Sequence, residues 1–307
     1  MPELPDISLY IECLKPRILN QRLKRIRLSS PFLLRSVSPP LSELDGKLVC
    51  ALRRLGKRIV LGLEEDYFLI LHLMIAGRLR WLAPGSKLPA RIGLAAFEFA
   101  TGTLAVTEAG SKRRASLHLV KGESCLQLHD PGGLEVLNAR FIDFQVALQR
   151  ENHTLKRALT DPRLFSGIGN AYSDEILFHA RLSPLQLTQR LSHAEAQRLF
   201  DSVRDTLCSW TTRLIRDTGT RFPEKVTAFR EGMSVHGRYG RPCTACGTLV
   251  QRIVYAENEC NYCPRCQTGG RLLADRAFSR LLKDDWPRTV EELENRFSRG
   301  RDRRSQD

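Results

Sequence analysis

The sequence predicts a multidomain α+β chain, β-rich at its start, helical in its middle and closed by a cysteine module built to hold a metal. Three observations carry that prediction. Short apolar runs alternate with turn residues between Leu23 and Leu128, helical periodicity runs from Phe141 to Asp217, and five of nine cysteines crowd between Cys243 and Cys266. A length of 307 residues suits two or three small domains better than one core.

From the N-terminus, Asp6 to Leu19 sets Ile7, Tyr10, Ile11, Leu14 and Ile18 on one stripe. This is an amphipathic helix that Pro5 and Asp6 begin and Pro16 is expected to kink or end. Ile59 to Leu63, the turn Glu64-Glu65-Asp66 and Tyr67 to Leu73 read as a hairpin; Ala95 to Val106 reads as a second, turning at Thr101-Gly102-Thr103. Strands at such short intervals point to a sandwich or barrel. The run His129-Asp130-Pro131-Gly132-Gly133 marks a boundary, after which helices are expected at Phe141 to Gln149, Leu155 to Thr160, Ala171 to Ala180 and Ser192 to Asp217. The tail from Arg271 holds one helix-like stretch and then Arg296, Arg299, Arg301, Arg303 and Arg304, and is expected to be partly disordered. The expected divisions are 1–130, 131–232, 233–270 and 271–307.

Lysine and arginine number 48 against 34 acids, a net charge of +14, which favours a polyanionic partner, with nucleic acid ahead of an acidic membrane surface. No apolar run approaches the roughly 20 residues of a spanning helix, and Met1 to Tyr10 is neither basic nor continuously apolar. An intracellular, non-membrane protein is expected. Seven basic and no acidic residues lie between Lys15 and Arg35, and five more between Lys47 and Arg58. Charge runs are ordinarily solvated faces, but two acid-free strips in a β-rich segment suit a surface that tracks a phosphate backbone. Lys57 abuts the strand beginning at Ile59, which would fix its position.

Cys243-Thr-Ala-Cys246 and Cys263-Pro-Arg-Cys266, sixteen residues apart, have the spacing of a four-thiolate zinc ribbon. One structural zinc is expected, with no coordination position open for chemistry. Cys260-Asn-Tyr-Cys263 is also a CxxC; the pairing with Cys266 is preferred because Cys263 can belong to only one turn and Pro264-Arg265 suits a tight loop. Cys13, Cys50, Cys125 and Cys208 read as buried or indifferent thiols.

The chain opens Met1-Pro2-Glu3. With Met1 removed, Pro2 exposes a secondary amine beside a carboxylate; an α-amino group titrates at about 7.7 to 8.0, so a useful fraction is free to attack a carbon near neutral pH. An amine attacking the anomeric carbon of a nucleoside forms an iminium, and Glu3 is close enough in sequence to protonate the sugar oxygen. Farther on, Ser166-Gly167-Ile168-Gly169-Asn170 leads into a helix, leaving backbone N–H groups able to cradle a phosphate.

In order, Met-Pro-Glu-Leu-Pro-Asp, Arg53-Arg54-Leu55-Gly56-Lys57, Gly167-Ile168-Gly169-Asn170-Ala171-Tyr172 and Val235-His236-Gly237-Arg238-Tyr239-Gly240-Arg241-Pro242-Cys243 resemble the formamidopyrimidine-DNA glycosylase and endonuclease VIII family, over residues 1 to about 268. The resemblance implies an N-terminal β-sandwich with flanking helices, a helix-two-turn-helix domain and a C-terminal zinc ribbon. It also implies damaged double-stranded DNA as partner and a monomer working in the cytoplasm at the nucleoid. Carried over, Pro2 is the nucleophile on C1′, Glu3 its acid/base partner, and Lys57 and Asn170 hold phosphates beside the extruded nucleotide. His72, in His72-Leu73-Met74-Ile75-Ala76-Gly77, matches another backbone contact. Family members cut the glycosidic bond and nick the strand by β- and usually δ-elimination. Extruding the base exposes C1′.

The departures are specific. The family finger usually has an arginine five residues before its third cysteine; here Asn258 stands there, with Arg252 or Arg265 as substitutes for the phosphate grip. Ile75, preceded by Met74, replaces the methionine that fills the gap left by the flipped base. Glu108-Ala109-Gly110-Ser111-Lys112-Arg113-Arg114-Ala115 replaces a shorter loop and lacks its phenylalanine wedge, while Arg113 and Arg114 keep its basic character. Asp6 replaces the usual glutamate. Two rival readings remain beside the enzyme: a nucleic-acid-binding protein that keeps the fold without lesion chemistry, and a zinc-ribbon protein that docks on another protein.

Overall fold

The fold is described from a computed structural model, which describes residues 1–110, 112–224, 226–255, 258–274, 281 and 287–295; the side chains of Tyr255 and Asn258 are excepted. The arginines expected in the tail lie outside the described residues. Contacts divide the chain into two units: Met1–Glu135 with Leu207–Ala228, and Val136–Thr206 with the chain from Phe229 onward.

The first unit opens with α1 (Leu4–Ile18). The Glu3 amide donates to Asp6 Oδ2 at 2.8 Å, half of a reciprocal capping box. Pro16 does not end this helix at its own position: the helix carries on two residues to Ile18, whose side chain is fully buried. A proline this close to the C-terminus forfeits one donor, and burying Ile18 outweighs that loss.

Eight strands follow: β1 (Arg25–Leu28), β2 (Val49–Leu55), β3 (Arg58–Leu63), β4 (Tyr67–His72), β5 (Gly77–Leu82), β6 (Gly93–Glu98), β7 (Thr103–Glu108) and β8 (Ser116–Lys121). They form two antiparallel four-stranded sheets, ordered β1-β6-β7-β5 and β2-β3-β4-β8. The core between the sheets takes Ile59, Leu61, Leu63, Leu69 and Leu71 from one and Leu79, Phe97, Leu104 and Val106 from the other, together with the stripe of α1. The sandwich alternative of the sequence is the one adopted. Strands β3 and β4 read as unbroken apolar runs because their other face is buried too: Val60, Phe68 and Ile70 pack on Leu126 of the short helix α2 (Glu123–Gln127). Residues after Leu207 return to this unit, where Phe222 lies 5.9 Å from Tyr10 and Val226 joins the core.

The second unit contains α3 (Phe141–Gln149), α4 (Leu155–Thr160) and α5 (Asn170–His179). The long helix α6 (His193–Thr218) begins here, and the division between units falls inside it. These helices match the sequence expectations to within a residue or two, the usual uncertainty of a helix end. Phe144 packs on Phe165 and Phe200 at 4.9 and 5.3 Å. The cysteine module carries the hairpin β9 (Gln251–Tyr255) and β10 (Asn258–Tyr262) and the short helix α7 (Pro264–Thr268). It is not an appendage: Phe178 of α5 shares one apolar cluster with Val235, Val250, Cys243 and Cys263.

Candidate functional site

In the first unit, Pro2 and Glu3 are buried and Lys57 sits in the two-residue loop Gly56-Lys57 between β2 and β3. Gly56 has φ +60°, the left-handed value a glycine-first hairpin loop requires, so the loop points Lys57 from a fixed base. Burial lowers the chain-terminal amine of Met1 below its ordinary value. Glu3 opposes the shift, Arg78 reinforces it, Asp6 opposes it and Lys57 reinforces it. Two carboxylates and two cations therefore face the chain end, and a weakened proton affinity there is what an attacking amine needs.

His72 closes β4 with Arg58 of β3 and Ser116 of β8 as its cross-strand neighbours. Its Nε2 is buried and, among the described residues, has no hydrogen-bond partner. Burial first, then Arg58, Lys57 and His118, lowers its pKa to about 4, so it is neutral at pH 7. His118 and His129, with rings 4.7 Å apart, are lowered in the same direction, each by burial first. Because the unfolded chain binds these protons more readily, the contribution of all three to stability is complete above about pH 6.5 and declines as pH falls; that of His72 is lost as pH falls toward 4. For His72 the loss is on the order of 3 kcal/mol. Urea unfolding between about pH 7 and pH 4.5 is expected to show that decline, and His72→Gln to flatten it.

In the second unit, Asn170 is the first residue of α5. Its Nδ2 donates to the Glu259 carbonyl of β10 at 2.8 Å, and its own carbonyl accepts from Lys156 Nζ at 2.6 Å. Lys156 Nζ also donates to Ser173 Oγ at 2.8 Å and pairs with Asp174 Oδ1 at 2.5 Å. The other oxygen of Asp174 meets His236 Nδ1 at 2.8 Å and accepts the Asn261 amide at 3.1 Å. Glu175 accepts the amides of Ser234, Val235 and His236 at 2.7 to 2.9 Å. Sequence reasoning did not select Lys156, Asp174, Glu175 or His236. The adjacent acids Asp174-Glu175 in the otherwise apolar helix Ala171–Phe178 were the available signal, because acids are rarely buried without partners.

The thiols of Cys243, Cys246, Cys263 and Cys266 lie within 4.8 Å of one another. Cys243 and Cys266 sulfurs are 4.0 Å apart, Cys246 and Cys263 3.4 Å. An ion about 2.3 Å from four tetrahedral sulfurs requires them roughly 3.8 Å apart, so the donor set fits one zinc. Cys260 is not among the four; it packs with Ile253, Tyr262 and Leu273, and burial raises its thiol well above the ordinary range.

Residues 1–132 match the formamidopyrimidine-DNA glycosylase N-terminal domain model, and residues 133–213 the formamidopyrimidine-DNA glycosylase H2TH domain model. The formamidopyrimidine-DNA glycosylase of Heliobacterium modesticaldum is 32% identical over 281 residues, covering 87% of this chain and 100% of its own length. This chain belongs to the formamidopyrimidine-DNA glycosylase family. The Thermus thermophilus formamidopyrimidine-DNA glycosylase is likewise 32% identical over 280 residues, covering 88% of this chain and 100% of its own. Among solved structures, Lactococcus lactis Fpg with DNA containing an abasic site superposes with a TM-score of 0.75 at 24% identity, over 87% of this chain and 99% of that one.

Against the formamidopyrimidine-DNA glycosylase pattern, Ile75 stands 52% exposed at the β4–β5 turn, and Met74 before it has φ +52°. Arg113 and Arg114 are exposed on the loop between β7 and β8. The backbone of Asn258 opens β10, but its side chain lies outside the described residues. Arg252 is engaged by Glu259 at 2.9 Å and lies over the Tyr239 ring at 4.3 Å; Arg265 has Glu291 at 4.0 Å. Of these two arginines, Arg265 is the less constrained. No helix among the described residues is long and apolar enough to cross a membrane.

Proposed function

We propose that this chain is a DNA repair glycosylase with abasic-site lyase activity, acting as a monomer on damaged double-stranded DNA in the cytoplasm, at the nucleoid. The observation that carries this reading is the geometry of the chain start, where Pro2 and Glu3 are buried and Glu3, Asp6, Arg78 and Lys57 all act on the terminal amine. Once Met1 is removed, the Pro2 nitrogen becomes the terminal amine. It attacks C1′ of the damaged nucleotide, the C1′–N bond breaks, and the base leaves with a proton. Glu3 protonates the sugar ring oxygen, the ring opens, and an iminium joins Pro2 to C1′. Loss of a C2′ proton then expels the 3′ phosphate by β-elimination, and δ-elimination expels the 5′ phosphate. Lys57, His72, Asn170, Arg113 and Arg114 bind the DNA backbone, and Asn258 stands where a phosphate-binding arginine would be. Bound zinc holds the cysteine module in shape and takes no part in these steps.

The experiment is borohydride trapping on duplex DNA with an abasic site. The expected result is a covalent adduct whose peptide map places the sugar on residue 2, on a chain whose intact mass lacks Met1. Absence of the adduct, or an adduct unaffected by Pro2→Gly, refutes the mechanism. The altered loop and Asn258 favour one second reading, a damaged-DNA or other nucleic-acid binder without lesion chemistry. It predicts strong, salt-dependent binding and no cleavage of any damaged duplex.

A further inference from the structure

Glu108 ends β7 with its side chain inside the protein, only 2% exposed. Its carboxylate is spent on backbone. Oε1 and Oε2 accept the Arg114 amide at 3.0 and 3.1 Å, and Oε2 also accepts the Ala115 amide at 3.1 Å. The strand end thereby grips the chain six and seven residues farther on. Beyond that grip, Ala115 is buried and β8 begins at Ser116, the cross-strand partner of His72.

The same residue borders the β4–β5 turn. Glu108 pairs with Gly77 of β5, and Gly77 can carry no side chain because a Cβ there would sit 2.2 Å from the Leu73 carbonyl oxygen. A Cβ on Gly110 would lie 3.5 Å from Ala76 Cβ, so the held loop rests against the turn that exposes Ile75. Arg113 adds a second tether, donating to the Arg91 carbonyl at 2.8 Å. Lys112, Arg113 and Arg114 are left exposed. A segment not held in this way would have to be ordered when DNA binds, at a cost in conformational entropy. A buried carboxylate is tolerable only with such amide partners, and here they hold the backbone of Arg114 and Ala115 in place.

We propose that Glu108 is a positioning residue for DNA binding, holding the Arg113–Arg114 segment and the Ile75 turn in the arrangement that meets the duplex; this rests on the DNA-binding part of the proposed function. It touches no DNA itself.

The test measures affinity of the full-length protein for a duplex carrying a stable abasic analogue, by fluorescence anisotropy across about 50 to 200 mM salt. Glu108→Ala is expected to weaken binding roughly tenfold and to reduce the slope of log K against log salt by about 1 to 2, the same reduction expected of Arg113→Ala with Arg114→Ala. Adding Glu108→Ala to that pair should change little, since the contacts it aims are already gone. A wild-type slope, or an effect that adds fully to the arginine pair, overturns the proposal. If Glu108→Ala proves unfolded by thermal melting, Glu108→Met keeps the length of the side chain and accepts no amide; a folded Glu108→Met with unchanged slope overturns it equally. Trapping on abasic DNA separates this proposal from the chemistry: a wild-type protein that forms no adduct but shows the slope change loses the Pro2 mechanism and keeps the Glu108 role.

Discussion

Cys263→Ser is expected to collapse the cysteine module and to loosen the helix packed on it. Cys263 is fully buried, and its sulfur belongs to the only four-thiol cluster found among the described residues. Structural zinc contributes about 10 to 16 kcal/mol in isolated finger peptides, as much as the roughly 5 to 15 kcal/mol that holds a whole domain folded. The damage will not stay local. The Cys263 amide donates to Gln267 Oε1 at 2.8 Å, Gln267 Nε2 donates to the Leu182 carbonyl at 2.9 Å, and Phe178 of α5 lies in the cluster around Cys263. Elemental analysis should find one zinc per chain, lost in Cys263→Ser, with a large fall in the melting temperature; chelation should reproduce both. Cys260→Ala provides the contrast. It removes a sulfur from an apolar cluster, so a loss of only about 1 kcal/mol and a full zinc content are expected. Equal zinc loss in both variants would reassign the ligands.

Asp174→Ala is expected to cost about 3 to 5 kcal/mol, because it strands the Lys156 ammonium, which is only 4% exposed, without its counter-charge. Removing the carboxylate also deprives His236 Nδ1 and the Asn261 amide of their acceptor. The midpoint of urea unfolding reads this directly. Pairing Asp174→Leu with Lys156→Met tests the cause: with both charges gone the desolvation penalty goes too, so the double variant should recover most of the loss. A double variant as unstable as Asp174→Ala would show that the amide and histidine contacts, not the ion pair, dominate. Lys156 also holds the Asn170 carbonyl, so Asp174→Ala should displace the start of α5 and weaken DNA binding where the protein remains folded.

Much of the architecture was legible because it is written in local periods. The unbroken apolar runs of β3 and β4, the stripe of α1 and the 3.6-residue pattern of α6 each depend on neighbours a few positions away. Cysteine spacing is legible for the same reason: each CxxC turn brings two sulfurs together by local geometry. The ambiguity at Cys260 shows the limit of that logic, since spacing allows two pairings and only the β10 register, which points Cys260 into the cluster with Ile253 and Tyr262, selects one. Pro16 shows the opposite failure. A local rule allowed the helix to end at Pro16, and burial of Ile18 in the core carried it two residues farther.

By itself the sequence determined the polyanion-directed charge, the order of the domain-forming segments, the four-thiolate site and the candidate amine at Pro2. Those follow from composition, short-range pattern and motif order. Only the tertiary structure decided that Glu3, Asp6, Lys57 and Arg78 face one chain end, that Asp174 joins Lys156 to His236, and that Glu108 clamps the loop before β8. Such groups lie far apart along the chain or are joined through backbone amides that every residue possesses. Their pairing leaves no mark on local sequence; it is set by strand register and burial, which arise when the two sheets and the helices close on their cores.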